Sequence, residues 1–388
     1  MVERFESPLK RYRRRLRAWG NHRKLERERE YYNELFLSRG LVLPDEEAVR
    51  AALKKKYPRL TSRRKGSLHI LALYHHYNWE DYSLMPALER FGSVRHYDWC
   101  EEFDHQGKDW PVSGKKAMNA ALVERAQKWV REDRIDVIFS YLSGEQVFPE
   151  TVARISSLGV PTVNLSLNDK EHFVGRIRRG LAMGMRDICR HFDLCWTSTA
   201  DALVKYRVEG ALPVYLPEGA NPEIHRPYDV EKTIDVSFVG QCYGNRPEVV
   251  ERLRRRGVAV EAFGYGWPSG PLTTEEMVRM YSRSRINLGF GGVAGHRETF
   301  CLKGRDFEIP MSGGLYLTEH HDELECVYRI GSEIVTYENF ADLAEKIGYL
   351  LSHPEEAEAI RQRGFRRARA EHTWEMRFEK VFGLIGLI

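Results

Sequence analysis

Short apolar runs alternate with amphipathic stretches along most of this chain, the pattern of strands and helices taking turns. Leu68–Tyr74 is an apolar run of strand length, followed by the polar loop His75-His76-Tyr77-Asn78-Trp79 and a helix over about 80–91. Further strands are expected at Val94–Tyr97, Asp136–Tyr141, Thr162–Leu167, Leu194–Thr197 and Val214–Leu216, with helices near 114–132, 145–157, 170–190 and 200–208. Turn-forming residues from Pro217-Glu218-Gly219-Ala220-Asn221-Pro222 to Pro227 break the rhythm as a linker does. It restarts with strand Ile234–Val239, loop 240–245, helix Arg246–Arg256, strand Val258–Phe263, a helix near Thr274–Arg283 and strand Ile286–Gly289. Beyond Ile334–Val335 the chain reads as helical, with Pro354 opening one helix and Thr373 capping the last.

Strands alternating with helices imply parallel sheets covered on both faces, so the fold class is α/β. We expect a basic helical N-terminal extension over 1–65, a Rossmann-like domain over 66–216, a linker over 217–233 and a second Rossmann-like domain over 234–388. Two doubly wound halves of this kind face a cleft, and ligands sit at the carboxyl ends of such strands.

At 388 residues the chain exceeds one ordinary core, which agrees with two domains. No apolar run approaches the roughly 18–20 residues that span a bilayer, and the first residues lack the apolar stretch of a signal peptide. Six cysteines form no CxxC pair, so reduced thiols and a cytoplasmic protein, peripheral at a membrane at most, are expected. Charge is uneven. Residues 1–66 hold 20 Lys/Arg against 9 Asp/Glu, about +11, while the whole chain is +4. That asymmetry suits an anionic partner for residues 1–65, although Arg and Glu alternate through Arg23–Glu30 as on a solvated helix. Nothing acidic interrupts Lys10-Arg11-Tyr12-Arg13-Arg14-Arg15.

The richest stretch is 302–317, Leu-Lys-Gly-Arg-Asp-Phe-Glu-Ile-Pro-Met-Ser-Gly-Gly-Leu-Tyr-Leu. It reads as a loop with Lys303, Gly304 and Arg305 entering a short helix that carries Glu308 and stops at Gly313-Gly314. A helix start offers unpaired N–H groups and positive dipole, and Arg forks onto phosphate oxygens. Glu308 is an acceptor suited to two sugar hydroxyls. The same residues also fit a surface loop with a solvated Lys/Arg pair. The first strand of the second half ends in Gly240-Gln-Cys-Tyr-Gly244-Asn-Arg246-Pro247, where Arg246 would stand beside an anion at a helix start; a plain βα turn is the alternative. Phe263-Gly264-Tyr265-Gly266-Trp267 suits a flat base against a loop, or equally a tight turn with Trp267 filling the core. Gly289–Glu298 is glycine-dense and polar-tipped.

In the first half, His76 and Asp169 are candidates to orient an acceptor hydroxyl or take its proton. The chain has no GxxxxGK[ST], no HExxH, no GxSxG and no GxGxxG after the first strand. It also lacks an Asp-x-Asp pair for a metal-bound nucleotide-sugar, and His320-His321-Asp322 reads as solvated, so no metal is expected.

Val-Ser-Phe-Val-Gly240…Arg246, Phe-Gly-Tyr-Gly-Trp267, Arg305-Asp-Phe-Glu308 with Gly313-Gly314, and Glu371-His372-Thr373-Trp374…Arg377 resemble the C-terminal half of spore-maturation-protein-like (CgeB-like) glycosyltransferases. Pro217–Asn221 fits too; the likeness is specific over 217–380, loose over 67–216 and absent over 1–65. It implies the GT-B fold, with the C-terminal domain holding a UDP- or GDP-linked sugar as co-substrate and no cofactor. It further implies phosphate contacts at Arg246, Lys303 and Arg305, and a ribose contact at Glu308. Relatives carry a second glutamate eight residues before that one, where this chain has Phe300, with Glu298 ten before.

The leading expectation is a metal-independent, retaining glycosyltransferase, with catalytic Arg246, Arg305, His76 and Asp169. Its donor site would comprise Gly240, Arg246, Gly264, Trp267, Lys303, Gly304, Arg305 and Glu308. The acceptor would be a glycan, lipid-linked glycan, protein or modified nucleic acid. The alternatives are a nucleotide-sugar epimerase of the same fold and a nucleic-acid-binding protein using the basic arm.

Overall fold

The computed structural model describes residues 8–388; the expectations that fall on residues 1–7, or on the side chains of Lys10 and Arg11, lie outside the described residues. The chain divides into two compact units. One comprises Glu28–Pro217 with Trp374–Ile388; the other comprises Glu218–Thr373 with the chain up to Arg27. The segment expected as an N-terminal extension forms helices at Pro8–Ser38 and Glu46–Lys56. Among the described residues, no helix is long and apolar enough to cross a membrane.

The first unit is built on β1 (Leu68–Leu73), β2 (Gly92–Tyr97), β3 (Val137–Ser140), β4 (Thr162–Ser166), a small antiparallel hairpin β5 (Ile177–Arg178) and β6 (Leu181–Ala182), β7 (Leu194–Thr197) and β8 (Pro213–Tyr215). The main sheet runs β2-β1-β3-β4-β7-β8, every neighbouring pair parallel. Alternate residues of β1 serve opposite faces, as strand geometry requires. Leu71 and Leu73 pack with Met118, Leu122 and Ala126 of the helix Lys115–Glu132. Ile70 and Ala72 pack with Trp374, Phe378 and Phe382 of the helix Trp374–Ile385.

That last helix corrects the expected boundary, which kept residues 374–388 with the second half. Its apolar positions 374, 378, 381, 382 and 385 form one stripe, and that stripe covers the first unit's sheet. The helix expected over 170–190 is also absent. Only Asp169–His172 is α-helical, the hairpin follows, and a single 3-10 turn forms at Cys189–His191. Gly175 and Gly180 take φ of +66° and +83°, and a Cβ at Gly184 would lie 1.8 Å from the His172 carbonyl oxygen. Glycine adopts such backbone without steric cost.

The second unit holds β9 (Ile234–Val239), β10 (Val260–Phe263), β11 (Ser284–Leu288), β12 (Tyr316–Glu319) and β13 (Val335–Tyr337), all parallel in the order β10-β9-β11-β12-β13. Asn287 of β11 ties the sheet internally: its side chain accepts from Ser237 Oγ (3.1 Å) and donates to the Tyr281 carbonyl (3.1 Å). In a parallel sheet the carboxyl ends of β9, β10 and β11 emerge on one edge, so their loops gather there.

A candidate anion site at the carboxyl edge of the second sheet

The loops after β9 and β10 lie side by side. Gly240 N–H donates to Phe263 O and Cys242 N–H to Tyr265 O, each at 2.8 Å. A Cβ at Gly264 would come 2.3 Å from Gly240 O, so the close approach depends on glycine. Trp267 is buried and donates its indole N–H to Gly240 O at 2.8 Å. It therefore braces the loop from inside, and the expected flat platform for a base is not where this ring lies.

The braced loop delivers Arg246, at the start of the helix Arg246–Arg255. This side chain is 2% exposed. Its guanidinium sits 3.9 Å from the Tyr243 ring centre and 5.3 Å from that of Phe238. One nitrogen donates to Gln241 O at 3.0 Å, whereas Nη2 is buried with no acceptor. Burial, and then the charge of Arg305, lower its pKa to about 10.

Arg305 arrives from the helix Gly304–Met311, with its guanidinium 5.6 Å from the Phe238 ring and its Nη1 likewise buried without an acceptor. A Cβ on Gly240 would lie 3.1 Å from Arg305 Nη2. Gly240 and Arg246 of one loop and Arg305 from a distant helix thus converge on one spot.

The helix start is well fixed. Lys303 N–H donates to Asp306 Oδ2 (2.6 Å), and Tyr316 OH donates to Asp306 Oδ1 (2.5 Å). Burial raises the Asp306 pKa, and these hydrogen bonds oppose the rise. The Lys303 ammonium is committed to the Gly292 carbonyl at 3.1 Å, so this lysine shapes the 289–303 loop, a different part from the expected phosphate contact. That loop is also held by Glu319, which accepts from Gly292 N–H at 3.1 Å, and by Asn21, which donates to Gly295 O at 2.9 Å. Phe300 stacks on His321 at 5.9 Å and 8°, and Glu298 is exposed beside Arg297.

Glu308 keeps 14% of its side chain exposed, and its Oε1 lies 3.7 Å from His225 Nε2. Gly304 sits between two carboxylates: a Cβ there would meet Glu308 Oε1 at 3.2 Å and Glu218 Oε2 at 3.4 Å. Glu218 and His225 are not legible as site residues in the sequence, because the Pro, Gly and Asn around them read as a linker. Burial, then the negative charges of Glu308 and Asp306, raise the Glu218 pKa to about 8.

The first unit has a cavity of about 580 Å³ beside the carboxyl ends of β3 and β4, with Tyr77, Trp79, Gln146, Asn168, His172 and Arg176 among its lining. Asp169 also borders it, but its carboxylate is buried and accepts from Ser166 (2.7 Å), Thr197 (2.6 Å) and Tyr206 (2.8 Å) hydroxyls. Three hydroxyl donors make Asp169 an anchor of β4 and β7, a geometry that does not suit the expected base. His76 packs edge-on to Tyr74 and against His96, with ring centres 5.4 and 4.6 Å away, and is outside the cavity lining.

Residues 246–383 match the family model described as glycosyl transferase-like. No curated protein matches the chain. Among solved structures, a sucrose-phosphate synthase from Thermosynechococcus elongatus is 10% identical, covers 82% of this chain and 98% of its own, and gives a TM-score of 0.55. A glycosyltransferase from Rickettsia africae is 9% identical over 82% and 98%, with a TM-score of 0.57. Anabaena Alr3699/HepE, solved in complex with UDP-glucose, is 11% identical over 83% and 100%, with a TM-score of 0.53. The chain is thus an α/β protein whose two parallel-sheet, Rossmann-like units share the GT-B fold of these solved structures, and its residues 246–383 match the glycosyl transferase-like model.

Proposed function

We propose that this protein is a glycosyltransferase of the CgeB-like type, moving a sugar from a nucleoside-diphosphate donor to an acceptor hydroxyl. The observation that carries the reading is the pair of buried guanidinium N–H groups, on Arg246 and Arg305, that lack acceptors. Two like charges gathered out of water are costly unless an anion joins them. A diphosphate brings both the charge and the oxygens.

The same arrangement suits the chemistry. As the glycosidic bond breaks, the sugar becomes cationic and the leaving diphosphate gains negative charge. Fixed N–H groups and a helix start, already aimed at that position, stabilise it without reorganising. No divalent ion is required in this scheme, because the two arginines meet the phosphate charge. Glu308 would hold the ribose hydroxyls, with Gly304 allowing close approach. UDP is the favoured carrier, since the HepE structures were solved with UDP and with UDP-glucose. We further propose retention at the anomeric carbon.

In the first unit, Trp79 and Tyr77 beside Gln146, Asn168 and Arg176 suit a saccharide, whose C–H faces pack on aromatic rings while its hydroxyls take amide hydrogen bonds. A glycan is therefore the proposed acceptor. Thermal-shift measurements against UDP, GDP, ADP and CDP test the donor reading, followed by transfer from the matching sugar nucleotide to an oligosaccharide panel. NMR of the new linkage reads its stereochemistry. Isomerised donor in the absence of acceptor would favour an epimerase.

The N-terminal helix supports a peripheral membrane role. Leu9, Tyr12, Leu16 and Trp19 are exposed at helical spacing, with exposed Arg13, Arg15 and Arg17 beside them. An apolar stripe flanked by cations lies well in an anionic lipid interface.

A further inference from the structure

We propose that His75, Asp98, Cys100 and His105 form a Zn²⁺ site in the first unit. β1 and β2 are parallel neighbours in a register that pairs Leu73 with Tyr97. The first residues beyond these strands therefore meet, and His75 donates from Nδ1 to both Asp98 oxygens at 2.8 and 2.9 Å. Two residues on, Cys100 places its sulfur 3.0 Å from His105 Nδ1. The ligand atoms of His75, Asp98 and Cys100 all lie within 4.8 Å of one another, the only such group among the described residues.

Two imidazoles, a thiolate and a carboxylate match the ligand preferences of zinc, and four ligands complete a tetrahedron. In the arrangement described, protons hold the two pairs together. Zn²⁺ would take the place of both: Cys100 loses its thiol proton to solvent, and the His75 proton moves to the other ring nitrogen. With one thiolate and one carboxylate the metal's charge is neutralised.

The surroundings are those of a built site. Asp98 is oriented by backbone N–H groups of His76 (3.1 Å) and Cys100 (2.9 Å), the outer-shell contacts that fix a ligating carboxylate. The segment 98–114 has little regular structure of its own, only short turns at Trp99–Glu101 and Trp110–Gly114, and Trp99 stacks on Trp110 at 5.6 Å. A metal would staple this segment to the end of β1. His75 also packs edge-on to Tyr77, 4.6 Å between ring centres, and Tyr77 lines the cavity of this unit. The staple therefore sets one wall of that cavity.

Titration of the metal-free full chain with Co²⁺ tests the proposal without any nucleotide or acceptor, so its outcome is separate from that of the transferase reading. Expected are intense visible bands of tetrahedral Co²⁺ with a sulfur-to-metal charge-transfer band, saturating at one equivalent and displaced by Zn²⁺. Cys100→Ser should lose the charge-transfer band, and His105→Gln should weaken binding at least about tenfold. Zn²⁺ should raise the melting temperature of the wild type, and a chelator should reverse that. A wild-type protein that shows no charge-transfer band with Co²⁺ and no Zn²⁺-dependent melting shift overturns the proposal.

Discussion

Arg246 and Arg305 hold their guanidinium carbons 5.3 and 5.6 Å from the centre of the same ring, Phe238. Neither makes an ion pair with a carboxylate within 4 Å among the described residues, and each has one buried nitrogen without an acceptor. The aromatic face softens the burial of two cations but supplies no hydrogen-bond acceptor. The proposed diphosphate would supply the acceptors that these two nitrogens lack.

Arg246→Met separates the two roles. Replacing a buried, uncompensated cation by an apolar chain of similar length should leave the melting temperature of the unliganded protein unchanged or higher. The stabilisation given by UDP should vanish with it, because only a ligand that favours the native state raises apparent stability. An undiminished UDP shift in this variant removes Arg246 from the diphosphate site.

Arg305→Ala should keep the fold and reduce transfer at least about a hundredfold, the usual loss when one preorganised donor to developing charge is removed. Steady-state turnover with saturating donor measures it. Near-normal turnover excludes the residue from the chemistry.

Glu308 is proposed to hold the ribose. Wild-type protein should bind UDP more tightly than 2′-deoxy-UDP, by roughly ten- to a hundredfold for a hydrogen bond to a charged acceptor. Glu308→Ala should erase the preference. Calorimetry with both nucleotides decides it, and a preference that survives the substitution assigns ribose recognition elsewhere.

Glu218 predicts a pH effect with a definite sign. Its carboxyl is raised from an ordinary value of 4.5 to about 8 in the folded protein. The folded state then holds its proton more tightly than the unfolded chain does. Its contribution is fully present below pH 4.5, is lost progressively as pH rises through about 8, and changes no further above that. Urea midpoints at pH 5 and pH 8 should therefore differ more in the wild type than in Glu218→Gln. His225, whose pKa burial lowers, acts in the opposite sense and is common to both proteins. Equal pH dependence in the two proteins contradicts the assignment.

Several elements could be read to the residue. Strand Ile234–Val239 alternates apolar Ile234, Val236 and Phe238 with Asp235 and Ser237, and Thr274–Arg283 has Thr273 and Glu276 as a capping box at its start. The 170–190 region reads as a helix from its apolar residues, whereas Gly175 and Gly184 answer to close backbone contacts and Gly180 to a positive φ, none of which periodicity encodes. Arg246 and Arg305 were visible as loop residues, yet their convergence on Phe238 is set by sheet order. Glu218 was hidden by its Pro-Gly surroundings. The His75, Asp98, Cys100 and His105 cluster was invisible for a similar reason, since only the register of β1 and β2 brings its halves together. Trp267 shows the limit of composition: an aromatic between glycines fits a binding platform and a brace equally well, and its indole bond to Gly240 O decides for the brace.

The return of Trp374, Phe378, Val381 and Phe382 to the first unit has a consequence for how the chain is made. On the ribosome, β1 through β8 emerge early, but the part of one sheet face that Trp374, Phe378 and Phe382 cover stays open until residues 374–388 have been synthesised. The Glu218–Thr373 portion is available to close first, so biogenesis runs against the order of the genetic message. During that interval the waiting apolar face is where a chaperone would engage the nascent protein.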